Sequence, residues 1–124
     1  MDKQHRLVAS DKAQGDIDVY EFMMLHMNRF SELKKNLIHE TSEKLGSLSG
    51  MLTAPDQAEQ MGFLIRLSKA KKGIELGTFT GYSALCMAEQ LPEDGKLITV
   101  DINPETGKIA KRYWEEAKVD KKIV

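Results

Sequence analysis

Two different spacings of apolar residues divide the chain, and each spacing predicts a different kind of element. In residues 16–68, apolar side chains recur at steps of three and four, which is the period of amphipathic helices. From residue 73 onward, short apolar runs alternate with helical stretches and glycine turns, which is typical of strand–helix–strand units. The pattern therefore predicts an α/β domain that follows a helical segment.

The helical segment is predicted to contain two amphipathic stretches and then a third helix. The first begins at Asp16, and the second follows Ser31, which can cap a helix, and ends at Gly46. Whether these are two helices or one bent helix stays open. Pro55 suits the first position of the third helix. The predicted stripes are Val19, Phe22, Met23, His26, Met27 and Phe30; Leu33, Leu37, Ile38, Thr41 and Leu45; and Ala58, Met61, Leu64, Ile65 and Ser68.

The second part of the chain is predicted to be the beginning of a doubly wound, parallel sheet. A buried strand ends at Gly77, and a glycine loop leads into a helix over 82–90. Asn103 is expected to cap the next helix, with an inner face of Ile109, Ala110, Tyr113 and Ala117. The remaining predicted elements are strands at 96–100 and from residue 122.

These elements predict three segments. Residues 1–15 are polar and read as a flexible tail, residues 16–50 as an N-terminal helical extension, and residues 51–124 as the first part of an incomplete α/β domain. Two or three parallel strands leave a sheet edge unpaired and one side of the core uncovered. We therefore expect either a fragment of a longer enzyme, which we favour, or a chain that completes its sheet with a second copy.

Composition excludes several classes of function. The formal net charge is −1, which gives no basic field for nucleic acid or an anionic membrane. The single cysteine excludes an internal disulfide and fits a reducing compartment. The sequence has no signal-like start and no run of membrane-spanning length, which favours a cytoplasmic protein.

The loop after the first strand has the glycine spacing G-x-x-x-G, at Gly77 and Gly81. The dinucleotide fingerprint needs a glycine where this chain has Phe79, which argues against NAD or FAD. No Gly-Lys-Ser/Thr follows, which excludes a P-loop. Asp101 follows Gly81 by 20 residues, at the end of the second strand, where a carboxylate can accept hydrogen bonds from ribose hydroxyls.

A nucleoside ligand without a pyrophosphate fits this loop best, and S-adenosylmethionine meets that description. Glu75 can hold its ammonium, and the Ser83 hydroxyl with backbone N–H groups can hold its carboxylate. The competing interpretation is a tight packing turn without a ligand. Glu75 argues against that interpretation, because an acid inside a buried strand is costly without a partner.

Several segments resemble one family, the small cation-dependent O-methyltransferases that include caffeoyl-CoA and catechol O-methyltransferases. The segments that carry the resemblance are 51–53, 75–83, 91–96, 100–101 and, for bacterial members, 112–119. The resemblance runs from residue 51 to residue 124. It implies a doubly wound, Rossmann-like methyltransferase sheet and transfer of a methyl group from S-adenosylmethionine to a hydroxyl of a small catechol-like or phenylpropanoid-like acceptor. It also implies homodimers and a divalent metal, usually magnesium, that chelates the acceptor diol and lowers its pKa.

The resemblance implies eight cofactor-binding positions. They are Met51 and Thr53 at the methionine end; Glu75, Gly77, Thr78 and Ser83 around the amino-acid part; Asp101 at the ribose; and Ile102 against the adenine.

The family's metal ligands and catalytic lysine correspond to positions beyond residue 124, so no catalytic or metal-binding residue is assigned in this chain. The alternative function is a non-catalytic module that binds the cofactor or dimerises through its N-terminal helices. A nucleotide-dependent oxidoreductase is a third, weaker candidate. His5, His26 and His39 lack metal-ligand spacing, and Cys86 is interpreted as a small buried residue.

Overall fold

A computed structural model describes residues 17–27 and 30–124, and places a layer of helices against one face of a small parallel sheet. The predicted tail, residues 1–15, lies outside the described residues. The helices are α1 (Ile17–His26), α2 (Glu32–Leu45), α3 (Pro55–Ser68), α4 (Tyr82–Gln90) and α5 (Pro104–Glu116), with short 3-10 helices at Gly46–Met51 and Asp120–Lys122. The strands are β1 (Lys72–Leu76) and β2 (Lys96–Val100).

The N-terminal segment forms two helices. α1 ends at His26, and α2 begins after Ser31, whose hydroxyl accepts a hydrogen bond from the N–H of Lys34 at 3.4 Å. The predicted stripe of α1 is only partly buried, because Val19 and Phe22 are 65% and 63% exposed, and the helix stops before Met27 and Phe30. Met23, in the same stripe, is half-buried. The stripe of α2 is confirmed, with these side chains buried: Leu37, Ile38 and Thr41.

The third helix begins at Pro55 as predicted, but its buried face differs from the prediction. Ala58 is buried, whereas Leu64 is half exposed and the Ser68 hydroxyl donates to the Leu64 carbonyl at 2.8 Å. Gly62 is buried instead. It lies so close to α4 that a Cβ on this residue would be 2.8 Å from the Cγ of Gln90. The close approach of α3 to α4 therefore depends on a residue outside the apolar pattern.

The two strands are parallel, and their register pairs Glu75 with Thr99 and Leu76 with Val100. Beyond β2, Ile123 forms an isolated parallel bridge to Leu97. The predicted start of a third strand is thus confirmed from Ile123, while residue 122 belongs to a 3-10 helix. β2 lies in the middle of this arrangement.

The sheet has one covered and one open face. Leu97 points towards the helices and is 1% exposed. On the opposite face, Ile74 and Leu76 are 75% and 85% exposed, because no element among the described residues packs on them. The prediction of a fully buried strand is therefore wrong for these two side chains. Ile98 and Val100 on β2 lie on the same open face as Ile74 and Leu76.

The centre of the core is α4, which has the predicted bounds. Leu85 is fully buried there, and Cys86 is 4% exposed, which confirms its interpretation as a buried residue. Asn103 caps α5 by accepting the N–H of Glu105 at 3.0 Å, and the inner face of α5 is confirmed, with Ala110 and Tyr113 buried. These contacts hold α4 and α5 on the covered face of the sheet.

Candidate functional site

The glycine loop, residues 77–81, lies where the carboxyl ends of β1 and β2 meet. Gly77 has a φ of 93° and donates its N–H to the Val100 carbonyl at 2.8 Å. Gly81 has a φ of 80°, and a Cβ there would lie 2.5 Å from the Cβ of Ala110. Both glycines therefore have a conformation that side chains disfavour, and Gly81 also has no space for one. Between them, Phe79 is left-handed as well, with a φ of 51°.

Asp101 closes the loop from the end of β2. Its Oδ2 accepts the N–H groups of Thr78 and Phe79 at 2.8 and 2.6 Å, and its Oδ1 accepts the N–H of Asn103 at 2.9 Å. The hydrogen bond from Phe79 and then that from Asn103 lower the pKa of the exposed Asp101 carboxyl, since they stabilise its charged form. The acid predicted to bind ribose thus also orders the glycine loop.

Glu75, on β1, is held by two hydroxyls. Ser83, at the start of α4, donates to Glu75 Oε1, and Thr99, on β2, donates to Oε2 at 2.8 Å. The sequence predicted that the Ser83 hydroxyl would face the carboxylate of a ligand, whereas in this structure its proton goes to Glu75. An acid inside a buried strand needs a partner, and Glu75 has two hydroxyl partners in the structure.

Thr99 is a site residue that the sequence reasoning missed. Besides its bond to Glu75, its Oγ1 lies 2.7 Å from the Oγ1 of Thr78 in the loop. The signal that predicts it is the strand register, because Glu75 and Thr99 are direct partners on adjacent strands. That register becomes visible only after the two strands are aligned.

The eight predicted positions divide into two groups. Five lie together at the strand ends, with Gly77 in the loop and the other four joined by hydrogen bonds to one another or to Thr99: Glu75, Thr78, Ser83 and Asp101. Met51, Thr53 and Ile102 make no hydrogen bond to the loop in the described structure. Ile102 is fully exposed and Met51 is 60% exposed, while Thr53 is half-buried.

The loop is also fixed from behind. The Trp114 indole on α5 donates to the carbonyl of Gly81 at 3.0 Å. The buried hydroxyls of Thr80 and of Thr41 on α2 are 2.8 Å apart. The sequence predicted Thr41 only as part of the apolar stripe of α2, and neither contact follows from periodicity.

Chemically, the strand ends present two carboxylates with different surroundings. Glu75 has one hydroxyl on each oxygen, which leaves further lone pairs for a cationic group. Asp101 is exposed and can accept hydrogen bonds from hydroxyls. Across residues 17–27 and 30–124, no three His, Cys, Asp or Glu side chains are grouped to hold a metal ion. No helix in that part of the chain is long and apolar enough to cross a membrane.

Comparison with known proteins places these features in a family. Residues 25–124 match the family described as O-methyltransferase. Caffeoyl-CoA O-methyltransferase of Populus kitakamiensis is 39% identical over 92 residues, which cover 74% of this chain and 39% of that protein. Catechol O-methyltransferase domain-containing protein 1 of Mus musculus is 47% identical over 68 residues, which cover 55% of this chain and 26% of that protein.

A solved structure gives the same picture. The O-methyltransferase TomG from Streptomyces achromogenes, in complex with SAM, matches with a TM-score of 0.75 and 27% identity, over 100% of this chain and 51% of that one. The predicted Rossmann-like methyltransferase fold is confirmed. The chain spans between about a quarter and about half of the length of these three proteins.

Proposed function

Since the chain belongs to the O-methyltransferase family, we propose that it supplies the S-adenosylmethionine site of an enzyme that methylates a hydroxyl group. The observation that carries this proposal is the pair of carboxylates, Glu75 and Asp101, on the ends of adjacent parallel strands beside a glycine loop. Ligands of doubly wound sheets bind at the carboxyl ends of the strands. The solved relative TomG holds SAM in its own complex.

In this proposal, each acid recognises a different part of the cofactor. The oriented Glu75 carboxylate accepts hydrogen bonds from the ammonium of the methionine part. Asp101 accepts hydrogen bonds from the ribose hydroxyls on the outer side of the loop. Gly77 allows the cofactor to approach the backbone, because a Cβ is absent there.

The remaining predicted positions border these acids in the proposal. Met51 and Thr53 face the methionine end, and Ile102 packs on the adenine. The exposure of Met51 and Ile102 supports these roles, because both side chains are accessible to a ligand.

The acceptor in this proposal is a small catechol-like or phenylpropanoid-like molecule. Support comes from the names of the relatives, which include caffeoyl-CoA and catechol O-methyltransferases. The acceptor oxygen forms a bond to the methyl carbon while the bond from that carbon to sulfur breaks. The hydroxyl proton is released to water, and S-adenosylhomocysteine is left. The described residues do not fit a magnesium ion, so we derive no step through a metal from them.

A calorimetric titration tests the cofactor site. We expect the chain to bind S-adenosylmethionine and S-adenosylhomocysteine, and Asp101→Ala to weaken both affinities by about five- to 150-fold, or ~1–3 kcal/mol. Asp94→Ala is the matched control, because Asp94 is an exposed acid that pairs with Lys71 away from the loop. A wild-type chain that binds neither ligand contradicts the proposal, and equal losses in both variants remove Asp101 from the site.

We also propose a homodimer. The exposed aliphatic side chains on the open sheet face and on α1 support it, since large exposed apolar patches usually mark interfaces. Sedimentation equilibrium tests this directly. A concentration-independent monomer contradicts the dimer and leaves the cofactor site unaffected.

A further inference from the structure

We infer that Thr99 is a positioning residue of the cofactor site, and that its hydroxyl joins the Glu75 carboxylate to the glycine loop. The inference rests on the proposed function, because it describes how the same site is held in its binding geometry. Thr99 contacts no predicted ligand group directly. Its role would be carried through Glu75 and Thr78.

The sheet register puts Thr99 in reach of both partners. Glu75 and Thr99 are Cα partners across the parallel pair, so their side chains project from the same face, which the helices cover. The Thr99 Oγ1 lies 2.8 Å from Glu75 Oε2 and 2.7 Å from Thr78 Oγ1. One hydroxyl therefore bridges β1 and the loop that follows it.

The protons in this network have one consistent arrangement. A hydroxyl has a single proton, and that of Thr99 is donated to the Glu75 carboxylate. The proton in the contact between Thr78 and Thr99 must then come from Thr78. Each hydroxyl polarises the next, so the chain of bonds from Thr78 to Glu75 is expected to be cooperative.

This arrangement determines how Glu75 is presented to a ligand. Ser83 holds one carboxylate oxygen and Thr99 holds the other, so the plane of the carboxylate is fixed from two elements, α4 and β2. A freely rotating glutamate would lose side-chain entropy on binding a cation, whereas one already held has that cost removed. Pre-orientation thus favours ligand binding.

The same hydroxyl connects the two acids of the site. The Thr78 hydroxyl donates a hydrogen bond to Thr99, and the Thr78 backbone N–H donates one to Asp101. A shift of the Thr78 side chain therefore alters the loop amides that Asp101 holds. Thr99 links the ammonium end of the site to the ribose end through this residue.

Substitutions at Thr99 can separate the hydroxyl from the shape of the side chain. Thr99→Val keeps the β-branched shape that suits a strand and removes the hydroxyl. Thr99→Ser keeps the hydroxyl and removes a methyl group. Ser68→Ala is the control, because it removes a hydroxyl that donates to the Leu64 carbonyl within α3 and contacts neither the loop nor the two acids.

Two measurements on these variants test the inference. We expect Thr99→Val to weaken S-adenosylhomocysteine binding about tenfold in calorimetry, and to speed amide hydrogen exchange at Thr78 and Phe79 in the ligand-free protein. Thr99→Ser should restore both to near the wild-type values. Ser68→Ala should leave both the affinity and the exchange rates at the wild-type values.

The opposite results overturn the inference. Wild-type affinity and exchange in Thr99→Val, or a Thr99→Ser variant as weak as Thr99→Val, shows that the hydroxyl does not position the site. If Thr99→Val does not fold, Thr78→Val breaks the same hydroxyl contact from the loop, and unchanged exchange at Phe79 contradicts the inference. If the wild-type chain binds no cofactor, the proposed function fails, and amide exchange still decides the role of Thr99.

Discussion

The indole N–H of Trp114 donates a hydrogen bond of 3.0 Å to the carbonyl of Gly81. This bond ties α5 to the last residue of the glycine loop, where α4 begins. The same ring would lie 2.8 Å from a Cβ on Gly81. The helix after β2 therefore supports the loop after β1, so the loop depends on residues more than 30 positions away.

Gly81→Ala is expected to destabilise the protein by about 2–5 kcal/mol. The alanine must adopt a left-handed conformation, which costs ~1–2 kcal/mol, and its Cβ must displace Ala110 and Trp114, which costs ~1–3 kcal/mol. Urea unfolding followed by circular dichroism measures the change.

Two other glycines separate these contributions. Gly77→Ala has a left-handed backbone with no atom near the new Cβ, so only the conformational cost of ~1–2 kcal/mol is expected. Gly107→Ala lies within α5 in open space and should stabilise the protein by about 0.5–1 kcal/mol. If Gly81→Ala is as stable as Gly77→Ala, the close approach of Trp114 to Gly81 adds no cost to the substitution.

Acidification should release the glycine loop at a pH below the ordinary range of an aspartate. Backbone N–H groups lower the pKa of Asp101 in the folded state. Its contribution to stability is therefore complete above the ordinary pKa of about 3.9 and is lost as the pH falls through the lowered value. In NMR spectra, the amide shifts of Thr78 and Phe79 should titrate in one step below about pH 3.9. Asp101→Asn should abolish that step, and a step above the ordinary value contradicts the hydrogen bonding.

Glu40 on α2 is expected to contribute to stability through α5. The hydrogen bond from Arg112, followed by that from Lys44, lowers the pKa of Glu40 from 4.5 to about 2. Because the folded pKa is lowered, this stability is present above about pH 4.5 and is lost as the pH falls towards 2. Glu40→Gln should cost about 1–2 kcal/mol at pH 7, a modest value because Arg112 is partly exposed.

Urea unfolding at pH 7 and at pH 2.5 measures this contribution. The difference between wild type and Glu40→Gln should shrink at the lower pH. Glu43→Gln on the same helix is the control, because that side chain is exposed and should change stability little at either pH. A difference that stays constant with pH would contradict the assigned pairing.

Cys86 should react with thiol reagents only when the protein unfolds. Burial raises the pKa of its thiol from 9.0 to about 12, so the thiolate fraction at pH 8 falls by about a thousandfold. We expect the labelling rate with a disulfide reagent to rise with urea in parallel with unfolding. Rapid labelling in native buffer would contradict the burial of Cys86.

Much of the covered half of the fold could be predicted from the sequence. The bounds of α4 and β2, the caps Ser31 and Asn103, and the position of Pro55 all follow from local rules, because each depends on residues within one turn. The strand–loop–helix pattern predicts four of the five positions at the strand ends, since parallel strands bring their carboxyl ends together. The fifth, Thr78, was predicted only from the family resemblance.

The contacts across the site could not be predicted in the same way. Thr99 becomes a partner of Glu75 only through the strand register, and Trp114 reaches Gly81 only through the packing of α5. Phe79 has a left-handed backbone conformation, which glycine adopts more readily than other residues. In the same loop, the backbone N–H groups of Thr78 and Phe79 donate hydrogen bonds to Asp101. The stripes of α1 and α3 are only partly buried, because periodicity identifies an apolar face without showing how much of it another element covers.

The two faces of the small sheet make mutational sensitivity strongly one-sided. Leu97, 1% exposed, has its side chain in the core, and its truncation to alanine removes packing worth about 2–5 kcal/mol. Leu76 on the neighbouring strand is 85% exposed, so the same truncation leaves the stability of this chain almost unchanged. A stability screen of this chain would therefore rank Leu76 as tolerant of substitution. Its aliphatic side chain nevertheless contributes to an exposed apolar face that can bind another apolar surface.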